Sequence, residues 1–219
     1  MSLSIASTQR LQQLCQQHEL TPNTWIQGAW SLLLARYSGN AEVLFGVTVA
    51  GRPTDLTGVE QIIGLFINSL PLRVQVDEEQ AVIPWLQQLL AHNAALRDYE
   101  FAPLVEIQRC SEIARGSSLF DSLVVFENAP LEVAQVSLKG FSIDIEQDRV
   151  HTNFPVTVVL YPGDRLGIRL SYDRQRFDEA TMQRMLGHLA QLLENMLAQP
   201  EAPLGSLELL TPAERRYLL

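Results

Sequence analysis

The sequence predicts an α/β fold in which a mixed or largely antiparallel sheet is covered by helices. Three observations carry this reading. Long segments place apolar residues at three-and-four spacing, as amphipathic helices do. Short runs rich in Val, Ile, Leu and Phe lie between Gly, Pro and Asn breakers, as strands do. The two kinds of segment mix without strict strand–helix–strand alternation, so a purely parallel sheet is not expected.

The first helix spans residues 7–19, with Leu11, Leu14 and Cys15 on one face. Thr21 then suits an N-cap and Pro22 the first helical position, where a missing N–H costs nothing. The helix over 22–37 carries Trp25, Ile26, Ala29, Trp30, Leu32, Leu33 and Leu34, apolar residues on more than one face. Such a helix is buried on several sides. Ser38-Gly39-Asn40 ends it. Residues 42–50 (EVLFGVTVA) read as a strand that runs into the breaker Gly51-Arg52-Pro53. A short helical turn is expected near 59–63 and a second strand over 67–76, where Pro71 favours a sheet edge or a bulge. Helices follow over 82–99 and 104–113, then strands over 120–127, 133–146, 152–161 and 165–172. Pro162-Gly163-Asp164 makes the last two a hairpin. Arg165, Gly167, Arg169 and Ser171 alternate with Leu166, Ile168, Leu170 and Tyr172, so one face of the last strand is expected to be wet. The final helix begins at the N-cap Asp178, with Phe177 and Met182 placed as a hydrophobic staple. Met182, Met185, Leu186, Leu189, Leu192, Leu193 and Met196 form its core stripe. Residues 1–199 read as one subdomain and 200–219 as a linker.

With 219 residues, 47 % hydrophobic and 19 % charged, the chain suits one globular domain or two small lobes of one. The formal charge of −9 opposes nucleic-acid binding, which needs clustered Lys and Arg to displace counterions. No run of eighteen apolar residues suggests a membrane span. The N-terminus lacks the basic start and apolar stretch of a signal peptide, so a cytoplasmic location is expected. Cys15 and Cys110 are far apart and read as small buried or half-buried thiols, not as metal ligands.

No Gly-rich phosphate loop, nucleophile elbow, HExxH or CxxC occurs. Of the four histidines, His18, His92 and His188 fall in helices and read as half-exposed surface residues. His151 opens a strand and is the best placed, but a general base needs a partner that fixes its tautomer, and none is adjacent. Asp144 and Glu146 share one strand face and read as solvated. The chain offers no self-sufficient catalytic centre and no metal site.

Several segments, in order, resemble one family, the condensation domains of nonribosomal peptide synthetases. LTPNTWIQGAWSLLLARYSG (20–39) looks like the helix opening the family's C-terminal lobe. EVLFGVTVAGRP (42–53) is similar to the next strand and its Gly-Arg turn. IGLFINSLPLR (63–73) resembles a core motif of the form Ile-Gly-x-Phe-x-Asn-[Ser/Thr]-Leu. DYEFAPLVEIQ (98–108) and RGSSLFDSLVVFEN (115–128) resemble the next two motifs, and LELLTPAERRYLL is similar to the stretch leading into an adenylation domain.

The resemblance implies a chloramphenicol-acetyltransferase-like lobe. It implies that carrier proteins present acyl or peptidyl and aminoacyl thioesters, held on phosphopantetheine, at opposite ends of a tunnel between two lobes. It implies no cofactor bound directly. The family's catalytic motif, His-His-x-x-x-Asp-Gly, belongs to the N-terminal lobe, and this sequence holds no His-His pair. The expectation is therefore a C-terminal lobe, inactive alone, whose partners are peptidyl carrier proteins, the N-terminal lobe and a following adenylation domain, with neither nucleic acid nor membrane among them. An exposed apolar flank is expected where the other lobe belongs. Val49, Ala50, Gly51 and Arg52, with Asn68 and Ser69, are expected near the tunnel. Two other readings stay open. Gly51-Arg52-Pro53 can be only a strand-ending turn and Asn68 only a polar strand residue. The chain can also be a non-catalytic docking module, or the same lobe of an epimerisation or heterocyclisation domain.

Overall fold

The computed structural model describes residues 1–50, 57–114, 117–127, 135–138, 141–144 and 152–218. Two helices open the chain, α1 (Ile5–His18) and α2 (Pro22–Ser38). The Thr21 side chain accepts from the Thr24 N–H with Pro22 in the first turn, as the sequence predicts, and Gly39 closes α2 at φ 70°, a left-handed cap that glycine adopts without strain. Strand β1 (Glu42–Val49) follows, then a 3₁₀ turn at Val59–Gln61, strand β2 (Asn68–Gln75) and helix α3 (Val82–Leu96). The helix expected over 82–99 tightens to a 3₁₀ turn at Arg97–Tyr99, and α4 (Leu104–Arg109) is shorter than the 104–113 expected. Strand β3 (Ser122–Phe126) precedes β4 (Gln135–Leu138), β5 (Phe141–Asp144), β6 (Val156–Tyr161) and β7 (Gly167–Tyr172); helices α5 (Glu179–Ala198) and α6 (Pro212–Leu218) end the chain.

The main sheet has the order β2-β1-β3-β6-β7. Its outer pairs are antiparallel and its two inner pairs parallel, so the sheet is mixed. The single strand expected over 133–146 is instead two, β4 and β5, paired antiparallel with Leu138 opposite Phe141. Whether Asp144 and Glu146 share a solvated face, as expected, and where His151 lies fall outside the described residues.

Helix α2 is the centre of the helical layer, packing on α1, α3, α5 and β1. Trp25, Ile26, Ala29, Trp30, Leu32 and Leu33 are all buried. The Trp30 indole N–H donates to Ser122 Oγ at 3.2 Å, which ties α2 to β3. Asn93 of α3 donates to Gln27 Oε1 at 2.7 Å. A β-carbon on Gly28 would sit 2.4 Å from a Leu86 methyl, so glycine sets the spacing of α2 and α3. Gly46 plays the same part in the sheet, where a β-carbon would fall 2.2 Å from the Phe120 ring.

β2 is an edge strand, as Pro71 predicts. The Val76 N–H donates to Ala41 O at 2.7 Å. Antiparallel partners alternate between bonded and non-bonded pairs, so Pro71, five residues back and opposite Gly46, is turned away from β1 and removes no ladder bond. On that outer side the Trp85 indole takes the Gln75 carbonyl at 2.9 Å. At the opposite edge, Leu3 N–H donates to Leu166 O and Ile168 N–H to Met1 O. This contact corrects the wet-face expectation for β7: Gly167 is buried and Arg169 half-buried over the Tyr161 ring.

Two further expectations change. Cys15 is buried, and burial pushes its thiol up to about 11, but Cys110 is exposed. His188 is a buried residue, not a surface one. Its Nδ1 lies 2.7 Å from the Tyr37 hydroxyl and its Nε2 3.0 Å from both Glu214 oxygens. Glu214, from the segment after α5, is that partner, and this segment packs against the helices. Leu204 and Leu207 are buried, and Arg36 donates to the carbonyls of both. Thr211 and Glu214 form a capping box: Glu214 accepts from the Thr211 N–H at 2.9 Å, and Thr211 Oγ1 accepts from the Glu214 N–H at 3.3 Å.

Gly46→Ala is expected to lower stability by about 1–3 kcal/mol, the usual cost of overpacking, measured as a drop in the denaturant midpoint with an unchanged slope. A pH effect also follows. The Thr211 hydroxyl and backbone N–H, then His188, hold the Glu214 carboxyl down at about 2, below its ordinary 4.5. A depressed carboxyl stabilises the fold above its ordinary range and loses that contribution as pH falls through its folded value. The unfolding midpoints of the wild type and Glu214→Gln, separate at pH 7, should therefore converge between about pH 4.5 and about pH 2.

Candidate functional site

β1 and β2 bring most of the expected tunnel residues to one end of the sheet. Val49 is the cross-strand partner of Asn68, and Thr48 of Ser69. Val49, Asn68 and Ser69 are half-buried and Ala50 is exposed. Gly51 and Arg52 lie outside the described residues.

Asn68 has a defined task. Its Nδ2 donates to the carbonyls of Glu100, at 3.0 Å, and Ala102, at 2.8 Å. Its Oδ1 accepts from the Ser69 N–H at 2.9 Å. One side chain thus clamps the segment between α3 and α4 against the end of β2. Only an amide offers two donors and an acceptor there, and a carboxylate would face two carbonyls with no proton to give.

The clamp joins two apolar strips. On the β2 side Ile63 is 100 % exposed, Leu65 89 % and Ile67 65 %; on the other side Phe101 is 73 % exposed, beside exposed Tyr99 and Val105. Exposed apolar residues thus lie on both sides of the Asn68 clamp.

The site is not an acid–base centre among the described residues. His18 is half-exposed on α1, His92 is exposed on α3, and His188 of α5 is engaged with Tyr37 and Glu214. Among the described residues no three His, Cys, Asp or Glu side chains gather as metal ligands, and no helix is long and apolar enough to cross a membrane. What the arrangement offers is shape: a strand end, small residues and an apolar wall.

Comparison with known proteins places this geometry. A family model described as "Condensation domain" matches residues 1–219. The chain belongs to the condensation domain family. It is 43 % identical over 219 residues to one of the linear gramicidin synthase proteins of Brevibacillus parabrevis, covering 100 % of this chain and 4 % of that protein. It is similar in fold to the first condensation domain of the CDA synthetase, with TM-score 0.77 and 17 % identity, over 96 % of this chain and 47 % of that one. A holo four-domain nonribosomal peptide synthetase bound to AMP and glycine gives TM-score 0.87 at 16 % identity, over 98 % of this chain and 18 % of that one. The condensation-domain chain is thus spanned over about half its length and the gramicidin synthase over a few per cent. The mixed sheet and its helical layer are the chloramphenicol-acetyltransferase-like fold that the motifs implied.

The sequence groups Asn68 and Ser69 with Val49 but gives no sign of the clamp, because its partners lie 32 and 34 residues away. Asn68→Asp is expected to cost about 0.5–1.5 kcal/mol for each hydrogen bond that the half-buried side chain loses. Amide exchange should rise across residues 97–105 and stay near wild type in α5.

Proposed function

We propose that the chain is the C-terminal lobe of a peptide-bond-forming condensation domain and forms one wall of the channel in which two carrier-bound thioesters meet. The observation that carries this reading is the match of nearly the whole chain to about half of a solved condensation domain, in a sequence with no His-His pair. The apolar strips around Asn68 support it as the surface that the second lobe covers.

In the reaction, the nitrogen of the downstream aminoacyl group attacks the upstream thioester carbonyl. A C–N bond forms, the C–S bond breaks, and the carrier's thiol leaves with the proton that the amine gives up. The chemistry is downhill, so the barrier is mostly one of bringing two tethered reactants into line. Alignment can supply roughly 7–11 kcal/mol. A lobe without an acid or base can therefore contribute much of the rate. Val49, Ala50, Gly51 and Arg52, with Asn68 and Ser69, line the channel in this reading. The small Ala50 and Gly51 let a substrate chain pass close to backbone. The substrates ride on phosphopantetheine arms of peptidyl carrier proteins, and residues 200–219 lead toward an adenylation domain.

The purified chain, given two loaded carrier proteins, should form no peptide, and adding a lobe that carries His-His-x-x-x-Asp-Gly should restore product. Turnover by the chain alone would overturn the proposal. Ile63→Asp, at a fully exposed position, should leave the unfolding midpoint within about 0.5 kcal/mol of wild type while lowering product in the restored pair at least roughly tenfold, the effect of a charge buried unpaired at an interface.

A further inference from the structure

The two edges of the main sheet differ. At β2, Pro71 has no N–H to offer and the Trp85 indole takes the Gln75 carbonyl. At β7 a further strand is already seated over the first half of the edge. Leu3 N–H donates to Leu166 O at 2.9 Å, and Ile168 N–H to Met1 O at 2.8 Å. The Met1 nitrogen donates back to Ile168 O at 2.8 Å. Ser2 lies opposite Gly167, antiparallel. Met1 and Ile168 thus exchange both bonds, as a hydrogen-bonded pair of an antiparallel ladder does.

The same alternation tells which groups of β7 are left. Ile168 points outward, to Met1, and Asp173 points inward, its N–H donating to Pro155 O at 3.0 Å. Leu170 and Tyr172 therefore turn their backbone groups outward, and Arg169 and Ser171 turn theirs toward β6. Among the described residues, no hydrogen bond takes the outward N–H or C=O of Leu170 or Tyr172. Unpaired edge groups of this kind template another strand.

A strand continued backwards from Met1 meets those groups in register. The residue joined to Met1 falls opposite Arg169, the second opposite Leu170 and the fourth opposite Tyr172. Residues directly opposite in a ladder share a face. Leu3 and Ile168 are buried, and Leu170 and Tyr172 pack partly on the same core. The second and fourth residues of the added strand therefore face the helical layer and should be apolar. The first and third share the other face with Arg169 and Ser171. Leu170 and Tyr172 offer one N–H and one C=O each. These are too few to offset the freedom that a separate peptide loses on binding. A segment already joined to Met1 has lost most of that freedom.

We propose that the outer edge of β7, from Leu170 to Tyr172, seats a strand joined to Met1, antiparallel to β7 and apolar at every second position. The last residues of the first lobe supply it, a source that rests on the reading of the chain as a C-terminal lobe.

Hydrogen exchange at the Leu170 and Tyr172 amides tests the edge by itself. The chain beginning at Met1 is compared with the same chain carrying Thr-Val-Thr-Val-Thr ahead of Met1, which sets valines opposite Leu170 and Tyr172. Exchange at both amides is expected to slow roughly tenfold or more, with Ile168, already bonded, within about twofold. Thr-Asp-Thr-Asp-Thr in the same place should slow them less than about threefold, because carboxylates then face the apolar side. Unchanged exchange with the valine extension would overturn the proposal, and equal protection by the aspartate extension would overturn its apolar alternation. Fusing the lobe that carries His-His-x-x-x-Asp-Gly ahead of Met1 tests the source. Product together with protection of both amides supports it. Product with both amides still exchanging freely overturns it and leaves the C-terminal-lobe reading standing. A protective valine extension with no product from the fusion counts against that reading and for the edge.

Discussion

Helix α2 has almost no wet side, and that constraint organises the fold. Trp25, Ile26, Ala29, Trp30, Leu32 and Leu33 fill one side of the axis and Gln27, Gly28, Ser31 and Ala35 the other, and all are buried. Such a helix must be surrounded, so α1, α3, α5 and the sheet gather about it. Its ends then become useful positions. The N-terminal end is closed by Thr21 and Pro22. The C-terminal end offers Arg36, which donates to the Leu204 and Leu207 carbonyls, and Tyr37, whose hydroxyl meets His188 of α5.

The functional end of the molecule is arranged by a different economy. The residues proposed to face the channel sit where β1 and β2 stop pairing, and a single amide, Asn68, holds the neighbouring segment against that end. The apolar residues around it are not needed by this lobe's own core. Ile63, Leu65 and Phe101 contribute area that only another surface can remove from water.

What could be read from the sequence divides along contact distance. Thr21, Pro22, Asp178 and the Phe177–Met182 staple act within a turn of their own positions, and each is found where local chemistry puts it. Pro71 marks an edge strand for the same reason. Asn68 and His188 are harder. Each is defined by partners more than twenty residues away, and periodicity carries no information about such contacts. A local clue does exist for His188. Thr211-Pro212-Ala213-Glu214 has the spacing of a capping box, which implies an ordered helix where a linker is expected. The antiparallel pairing of β4 with β5 is hidden because residues 133–146 look like one continuous strand.

The rim of β2 shows how an open sheet edge can be blunted. Of the groups that point outward along it, the Ser69 N–H is taken by its neighbour's amide oxygen. Pro71 has no N–H to offer, and the Gln75 carbonyl is occupied by an indole. Arg73, between them, carries a charge paired with Glu42. An incoming strand would find no continuous row of donors and acceptors to anneal to, so copies of the chain are kept from zipping into edge-to-edge aggregates during synthesis.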